Sequence, residues 1–315
     1  VATNTTDKNN NNVLVIGGGI AGIEAALNLA EHNFHVYLVE ATPSIGGLMA
    51  RLNKTFPTND CSICIEAPKM YEVQRNPNIT LLTNTDVRRM RRWSSSTGSK
   101  SFKVRVVKRP RFIDESKCKG CGKCAEVCPI AVRDELDGKL GGLRKLISLP
   151  FPQAVPNAYI IDGRCRYGKM KAEGACVGGC IVDCIQCREC PIARCVKACK
   201  DEGADAVTLW QREQIIDLEV NAILIATGLT VFEPPQGMYG YGIYDNVLTS
   251  YQYERLTNAG GPTAGEICKV STSGVSHEVA SGASEAPASV VGDHSSDNRI
   301  DSIAWVQCVG REKWL

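Results

Sequence analysis

Twelve of the sixteen cysteines lie between positions 118 and 199. The segment opens with Cys118-Lys-Gly-Cys121-Gly-Lys-Cys124-Ala-Glu-Val-Cys128-Pro129, a C-x2-C-x2-C-x3-C-P run. Three thiolates on so short a loop can hold three corners of a [4Fe-4S] cube, and a fourth cysteine at a helix start usually serves a second cluster. A four-thiolate zinc site accepts the same residue type, but three thiolates on one loop favour the cube at this first position. The rest of the chain can be read as delivering electrons to this belt or taking them away.

A secreted disulfide scaffold is the competing explanation for so many cysteines. No apolar leader opens the chain and the spacings are metal spacings, which fits a reducing, cytoplasmic compartment. The longest apolar runs, such as residues 13–16 and 222–226, are strand-sized and far below the roughly 20 residues of a membrane-crossing helix, so no direct membrane insertion is expected. With 43% apolar and 22% charged residues the composition is ordinary for a globular protein. A formal net charge of +2 gives no electrostatic case for nucleic acid. The cluster Arg88-Arg-Met-Arg-Arg92 reads as a solvated face or a partner-docking patch, because no aromatic stacking series accompanies it.

Residues 1–12 are Asn/Thr-rich and read as a disordered tail. From Val13 the pattern changes. Residues 13–16 form an apolar strand, Gly17-Gly-Gly19-Ile-Ala-Gly22 a G-x-G-x-x-G turn, residues 23–32 a helix, and residues 36–40 a second strand ending in Glu40. Gly17 turns the chain, Gly19 lets backbone approach a pyrophosphate, and Gly22 lets the helix pack close to the strand. The anion then sits at a helix N-terminus, and Glu40 is placed to accept from a ribose. Strand, turn, helix, strand and terminal acid in this order make a dinucleotide site, without saying which dinucleotide. Two further features, Gly46-Gly47 and a strand at 219–228 closing on Thr227-Gly228, resemble the two-dinucleotide-domain flavoproteins of the thioredoxin reductase type. That resemblance implies FAD, with Gly46, Gly47, Thr227 and Gly228 joining the first glycines around it.

Cys61-Ser-Ile-Cys64 is a C-x2-C outside the belt. It can be a redox dithiol at a helix start beside a flavin, half of a metal site, or two structural cysteines. Residues 78–82 read as another parallel strand, and Phe102, Val104 and Val106 alternate with basic residues as a half-exposed strand. Between Cys128 and Cys165 the chain is too rich in Gly and Pro for a long helix. The later cysteines fall at 165, 176, 180, 184, 187, 190, 195 and 199. Two ligand sets compete for a second cluster: Cys184, Cys187 and Cys190 with Cys199, or Cys187, Cys190 and Cys195 with Cys199. In the bacterial ferredoxin scheme the last cysteines cross over, so that Cys128 serves the second cluster and Cys199 the first. Cys165, Cys176 and Cys180 are left for a third site.

Several motifs together resemble the A subunits of heterodisulfide reductases. They are the dinucleotide unit, Phe56-Pro-Thr-Asn-Asp-Cys61-Ser-Ile-Cys64 with Pro68-Lys-Met70, the cysteine insert, Pro150-Phe-Pro-Gln-Ala-Val-Pro156, Tyr239-Gly-Tyr-Gly242 and Val306-Gln-Cys-Val-Gly310. The resemblance covers nearly the whole chain from Val13. It implies an FAD iron-sulfur oxidoreductase subunit that relays electrons, and in some members bifurcates them, beside other redox subunits. The expected fold is α/β: an FAD-binding Rossmann-like domain at 13–109 and 211–257 with a ferredoxin-like [4Fe-4S] insert at 110–210. A flexible linker at 258–300 and the start of a second dinucleotide-type domain at 301–315 would follow. Members of the family run on past the Val-Gln-Cys-Val-Gly sequence into a further cysteine cluster. Here Arg311-Glu-Lys-Trp-Leu315 ends the sequence, so a short form or fragment is expected, and companions for Cys308 are absent. Cys268 has no assigned role. Two rival readings are an autonomous NAD(P)H reductase using Cys61 and Cys64, and a zinc-bearing assembly scaffold.

Overall fold

A computed structural model describes residues 11–94, 100–134, 137, 140, 142–163, 194–209, 211–267 and 303–304. In chain order its elements are β1 (Asn12–Ile16), α1 (Ile20–Glu31), β2 (His35–Val39), α2 (Ser62–Arg75), β3 (Ile79–Leu82), β4 (Thr85–Ser94), β5 (Lys100–Lys108), α3 (Lys123–Glu126), β6 (Ala131–Arg133), β7 (Leu143–Lys145), β8 (Ile147–Ser148), β9 (Ile160–Ile161), α4 (Arg194–Asp201), β10 (Gln214–Val220), β11 (Ala222–Ile225) and α5 (Ser250–Thr257). The described residues within 1–50, 62–130 and 146–228 form one compact unit, and those within 51–61, 131–145 and 229–315 a second. The cysteine run at 118–128 therefore packs in the same unit as the dinucleotide strands.

The first unit is built on a parallel sheet of order β11-β1-β2-β3. Its strands are nearly all apolar: β1 and β2 are covered on both faces, as a parallel sheet requires, while Leu224 and Ile225 of the edge strand β11 stay exposed. Val15, Val36 and Leu38 point to one face, where Ile23, Ala26, Leu27 and Ala30 of α1 and Met70 and Val73 of α2 complete a core. Leu14, Tyr37 and Val39 point to the other, against Val104, Val106, Leu218 and Val220. Those partners belong to an antiparallel sheet of order β10-β5-β4. Each fully buried Val or Leu here contributes about 1.5–3 kcal/mol.

Three expectations change. Asn12, expected in the tail, already pairs in β1, opposite His35. The strand expected at 219–228 is two strands in different sheets: β10 pairs antiparallel with β5, and β11 pairs parallel with β1. The chain crosses at Asn221, whose N–H donates to the Asn12 carbonyl at 2.8 Å and whose Oδ1 accepts from the Asn12 N–H at 3.3 Å. The basic run at 88–92 lies on a strand, β4, at the edge of the antiparallel sheet. Its charges hide the period-2 pattern, since the residues of that run are all exposed.

In the second unit, Thr249 caps α5. Its Oγ1 accepts from the Gln252 N–H at 3.1 Å while Gln252 Oε1 accepts from the Thr249 N–H at 2.8 Å, a reciprocal capping box. Arg255, on the same helix, donates to both carboxylate oxygens of Asp137 at 2.8 and 2.9 Å. Among the described residues no helix is long and apolar enough to cross a membrane.

Candidate functional site

The dinucleotide turn is held by backbone contacts that leave room for no side chain. Gly17 has φ +106°, a conformation L side chains rarely adopt, and a Cβ there would stand 2.3 Å from the Ala226 carbonyl oxygen. That contact brings Ala226 and the Thr227 nitrogen to the turn. A Cβ at Gly22 would lie 1.8 Å from the Gly17 oxygen, so α1 packs against the turn only because residue 22 is glycine. Gly46 donates to the Gly18 carbonyl at 2.7 Å, and a Cβ on Gly47 would meet Gly19 Cα at 2.9 Å. The second glycine pair thus lies against the first. Gly19 differs: a Cβ there would find only Gly47 Cα, at 3.8 Å. Gly19 is also the N-cap of α1, with no side-chain cap. Open space in front of uncapped helix N–H groups suits a diphosphate.

Glu40 is nearly buried, and its carboxylate is engaged by the chain itself. Oε2 accepts from the Gly18 N–H and Oε1 from the Thr42 N–H, both at 2.7 Å. A carboxylate oxygen has two acceptor sites, so the carboxylate can shape the turn and retain capacity for a ribose hydroxyl. The wall beyond Gly46 is apolar: a Cβ at that glycine would meet Ala50, Met70 Sδ and the Phe151 ring. The residues present therefore fit an FAD diphosphate and its adenosine ribose.

The second site is a cavity lined by Cys118, Cys121, Cys124 and Cys199 together with Ile113, Lys119, Gly122, Tyr159, Ala204, Ala206 and Val207. The four cysteines are free thiols. Cys118 N–H donates to the Asp114 carbonyl at 3.0 Å, which starts the loop. Gly122, at φ +80°, is the N-cap of α3, and a side chain there would collide with the Tyr159 hydroxyl at 2.9 Å. Cys199 comes from α4, and its sulfur accepts from the Ala206 N–H at 3.2 Å.

Burial pushes the Cys124 thiol up to about 12, and negative charge on Cys118, Cys199 and Cys121 adds to the shift. The buried thiol therefore keeps its proton unless a cation displaces it, and four thiols around one cavity are the donor set of a thiolate-bound metal centre. Tyr159 is likewise raised, first by burial and then by Cys124, Cys121 and Cys118, so its hydroxyl remains a donor beside the sulfurs. Among the described residues no three His, Cys, Asp or Glu side chains close to single-ion spacing. In a cubane each thiolate takes its own iron, and the ligand sulfurs stand farther apart than around one ion.

The fourth thiol of this cavity is Cys199. Cys128, the last cysteine of the run, is buried but does not line it, and neither does Cys195, one helical turn from Cys199. The lining thus sets Cys199 beside the first three cysteines of the run, as the crossed scheme requires. Cys184, Cys187 and Cys190 lie outside the described residues, as do Cys165, Cys176, Cys180, Cys268 and Cys308. Cys61 and Cys64 are both disulfide-bonded.

Sequence reasoning missed Glu66. It is fully buried on α2, neither carboxylate oxygen has a hydrogen-bond partner, and the Ser62 hydroxyl one turn earlier has none either. Burial raises its pKa to about 8. Pro68 inside α2 masks the helix in the sequence, and with it the inward face that carries Glu66.

Residues 12–60 match the family described as FAD dependent oxidoreductase, and residues 111–134 match the 4Fe-4S binding domain. An FAD-binding domain and a 4Fe-4S ferredoxin domain are thus both present. The chain is 45% identical over 259 residues to the second iron-sulfur A subunit of CoB–CoM heterodisulfide reductase of Methanopyrus kandleri, a match covering 82% of this chain and 35% of that protein. It is 42% identical over 308 residues to the A subunit of ferredoxin:CoB-CoM heterodisulfide reductase of Methanosarcina mazei, covering 97% of this chain and 32% of that one. The chain spans about a third of the length of these curated relatives. With identity at this level running through both the dinucleotide turn and the cysteine run, the chain belongs to the family of heterodisulfide reductase A subunits.

Proposed function

We propose that the chain is an electron-transfer flavoprotein subunit, relaying electrons between FAD and [4Fe-4S] clusters within a multi-subunit redox complex. One observation carries the reading: a dinucleotide turn and a cavity of four free thiols lie in a single compact unit. FAD, when bound, supplies a centre that exchanges electrons with both two-electron and one-electron partners. The chain's own part is placement. Gly17, Gly19 and Gly22 receive the diphosphate, with Gly46, Gly47 and the Thr227-Gly228 turn closing around it. Glu40 holds the turn and the ribose side, and Met70 and Phe151 keep water from the apolar wall. Cys118, Cys121, Cys124 and Cys199 hold the first cluster, with the Ala206 N–H directed at one sulfur. Such hydrogen bonds, together with solvent exposure, set cluster potentials.

A second cluster would take Cys128 and Cys195 with partners among Cys184, Cys187 and Cys190, and Cys165, Cys176 and Cys180 leave room for a third. The matched relatives are named as subunits of complexes acting on the CoB–CoM heterodisulfide, in one case with ferredoxin. That supports redox subunits as partners here, and the metal spacings of the cysteines suit a reducing, cytoplasmic setting. Anaerobic purification with flavin, iron and sulfide analysis, followed by EPR of the reduced protein, tests the reading. Flavin with cubane signals is expected; zinc without iron would overturn it. The disulfide-bonded state of Cys61 and Cys64 favours a second reading, an NAD(P)H-dependent reductase using that pair. Oxidation of NAD(P)H by the isolated chain, with the release of titratable thiols, would select it.

A further inference from the structure

Arg111 is 2% exposed, and its guanidinium joins segments from both sites. Nε donates to Glu115 Oε1 at 2.9 Å, Nη1 to the Ala158 carbonyl at 2.9 Å, and Nη2 to Thr83 Oγ1 at 3.2 Å and to the Pro43 carbonyl. Pro43 follows Glu40 and Thr42 on the ribose side of the dinucleotide turn, and Thr83 follows β3. Glu115 precedes Cys118, and Ala158 precedes Tyr159, which lines the thiol cavity. The backbone is fixed as well, since Gln211 Oε1 accepts from the N–H groups of Arg111 and Phe112 at 3.1 and 2.7 Å. Only a planar fork can reach these acceptors together; a lysine ammonium offers a point.

The charge is as informative as the geometry. Burial opposes a guanidinium cation here, while Glu115 and then Cys118 support it, and an arginine stays protonated in proteins. Glu115 is shared, because its other oxygen accepts from Lys108 Nζ at 3.2 Å. Two cations therefore share one carboxylate, and the Arg111 guanidinium interacts electrostatically with Cys118. A thiolate-bound cluster gains one negative charge on reduction, and nearby charge acts strongly where water is excluded.

We propose that Arg111 is a positioning residue of the electron path: it locks the ribose-side loop to the cluster loop, and its charge raises the reduction potential of the cluster held by Cys118, Cys121, Cys124 and Cys199. The proposal rests on the electron-relay reading above. The test uses the full chain loaded anaerobically with FAD, iron and sulfide, with the cluster potential read by EPR-monitored titration. At the wild-type midpoint, Arg111→Gln is expected to lower the reduced-to-oxidised ratio about tenfold, about 59 mV for a one-electron couple. Glu115→Gln unmasks the cation and is expected to raise the ratio about threefold, and Arg111→Lys, which keeps the charge, to stay within about twofold of wild type. Shifts of one sign in Arg111→Gln and Glu115→Gln overturn the proposal, because a loosened structure moves both alike. Should Arg111→Gln fail to hold its cluster, Glu115→Gln decides alone, and an unchanged or lowered ratio sinks the idea. Absence of any cubane signal in the wild type would instead remove the electron-relay reading itself.

Discussion

The dinucleotide turn and the thiol cavity reach their chemistry by opposite routes. The turn gathers most of its parts from residues 12–47 and works through backbone, with glycines set against one another so closely that their missing side chains define the shape. The cavity is made of side chains, three from one loop and the fourth from a helix that starts at Arg194. A local backbone device is written into residue spacing, whereas a long-range side-chain device is visible only after the chain has folded back. The two should therefore fail differently.

The largest effect is expected at the long-range thiol. Cys199→Ala should abolish the first cluster's EPR signal and its share of the iron, while Cys128→Ala should retain both; the reverse pattern would restore the uncrossed tetrad. Next comes the backbone device. Gly22→Ala places a Cβ 1.8 Å from the Gly17 oxygen, and a loss of about 3 kcal/mol is expected in urea unfolding, with flavin content falling alongside.

Glu66 adds a pH dependence behind the turn. Its folded-state pKa, about 8, is raised from 4.5. The folded protein therefore holds the proton more tightly than the unfolded chain does. Stability is fully present below pH 4.5 and is lost as pH rises to about 8. The size is on the order of 5 kcal/mol, and Glu66→Gln should flatten that slope in denaturant titrations run from pH 5 to about pH 9. The smallest effect separates binding from folding. Gly19→Ala meets no atom nearer than 3.8 Å, so stability should change by less than about 1 kcal/mol. FAD affinity measured by fluorescence quenching should still fall, because the new methyl occupies the approach to the helix N-terminus.

How much could be read in advance follows the same division. The glycine turn, Glu40 and the flanking strands were legible because each follows from period and spacing, whereas the return of Thr227-Gly228 came from a family resemblance. The crossover of Cys199 was one option offered by the cysteine pattern, and the packing of α4 against α3, which brings Cys199 to the cavity, supports it. Arg111 and Glu66 were not legible. Nothing in Lys-Arg-Pro-Arg or Ile-Glu-Ala-Pro marks one charged residue as buried, since burial depends on distant partners such as Pro43 and Ala158 in one case and on helix facing in the other. The basic strand β4 escaped for a related reason. Its solvent face and its edge position allow charge at successive positions, which erases the alternation that reveals a strand.

The crossing at Asn221 also sets an order of events during synthesis. β1 can pair with β2 as soon as residues 12–39 have emerged, because that contact is local. Its other neighbour, β11, pairs through a contact between positions 209 residues apart, Asn12 and Asn221. The entire cysteine segment leaves the ribosome before this strand does. The last wall of the dinucleotide turn, residues 226–228, therefore arrives only after every thiol of the belt is available. In the growing chain, cluster assembly has a head start over closure of the dinucleotide site.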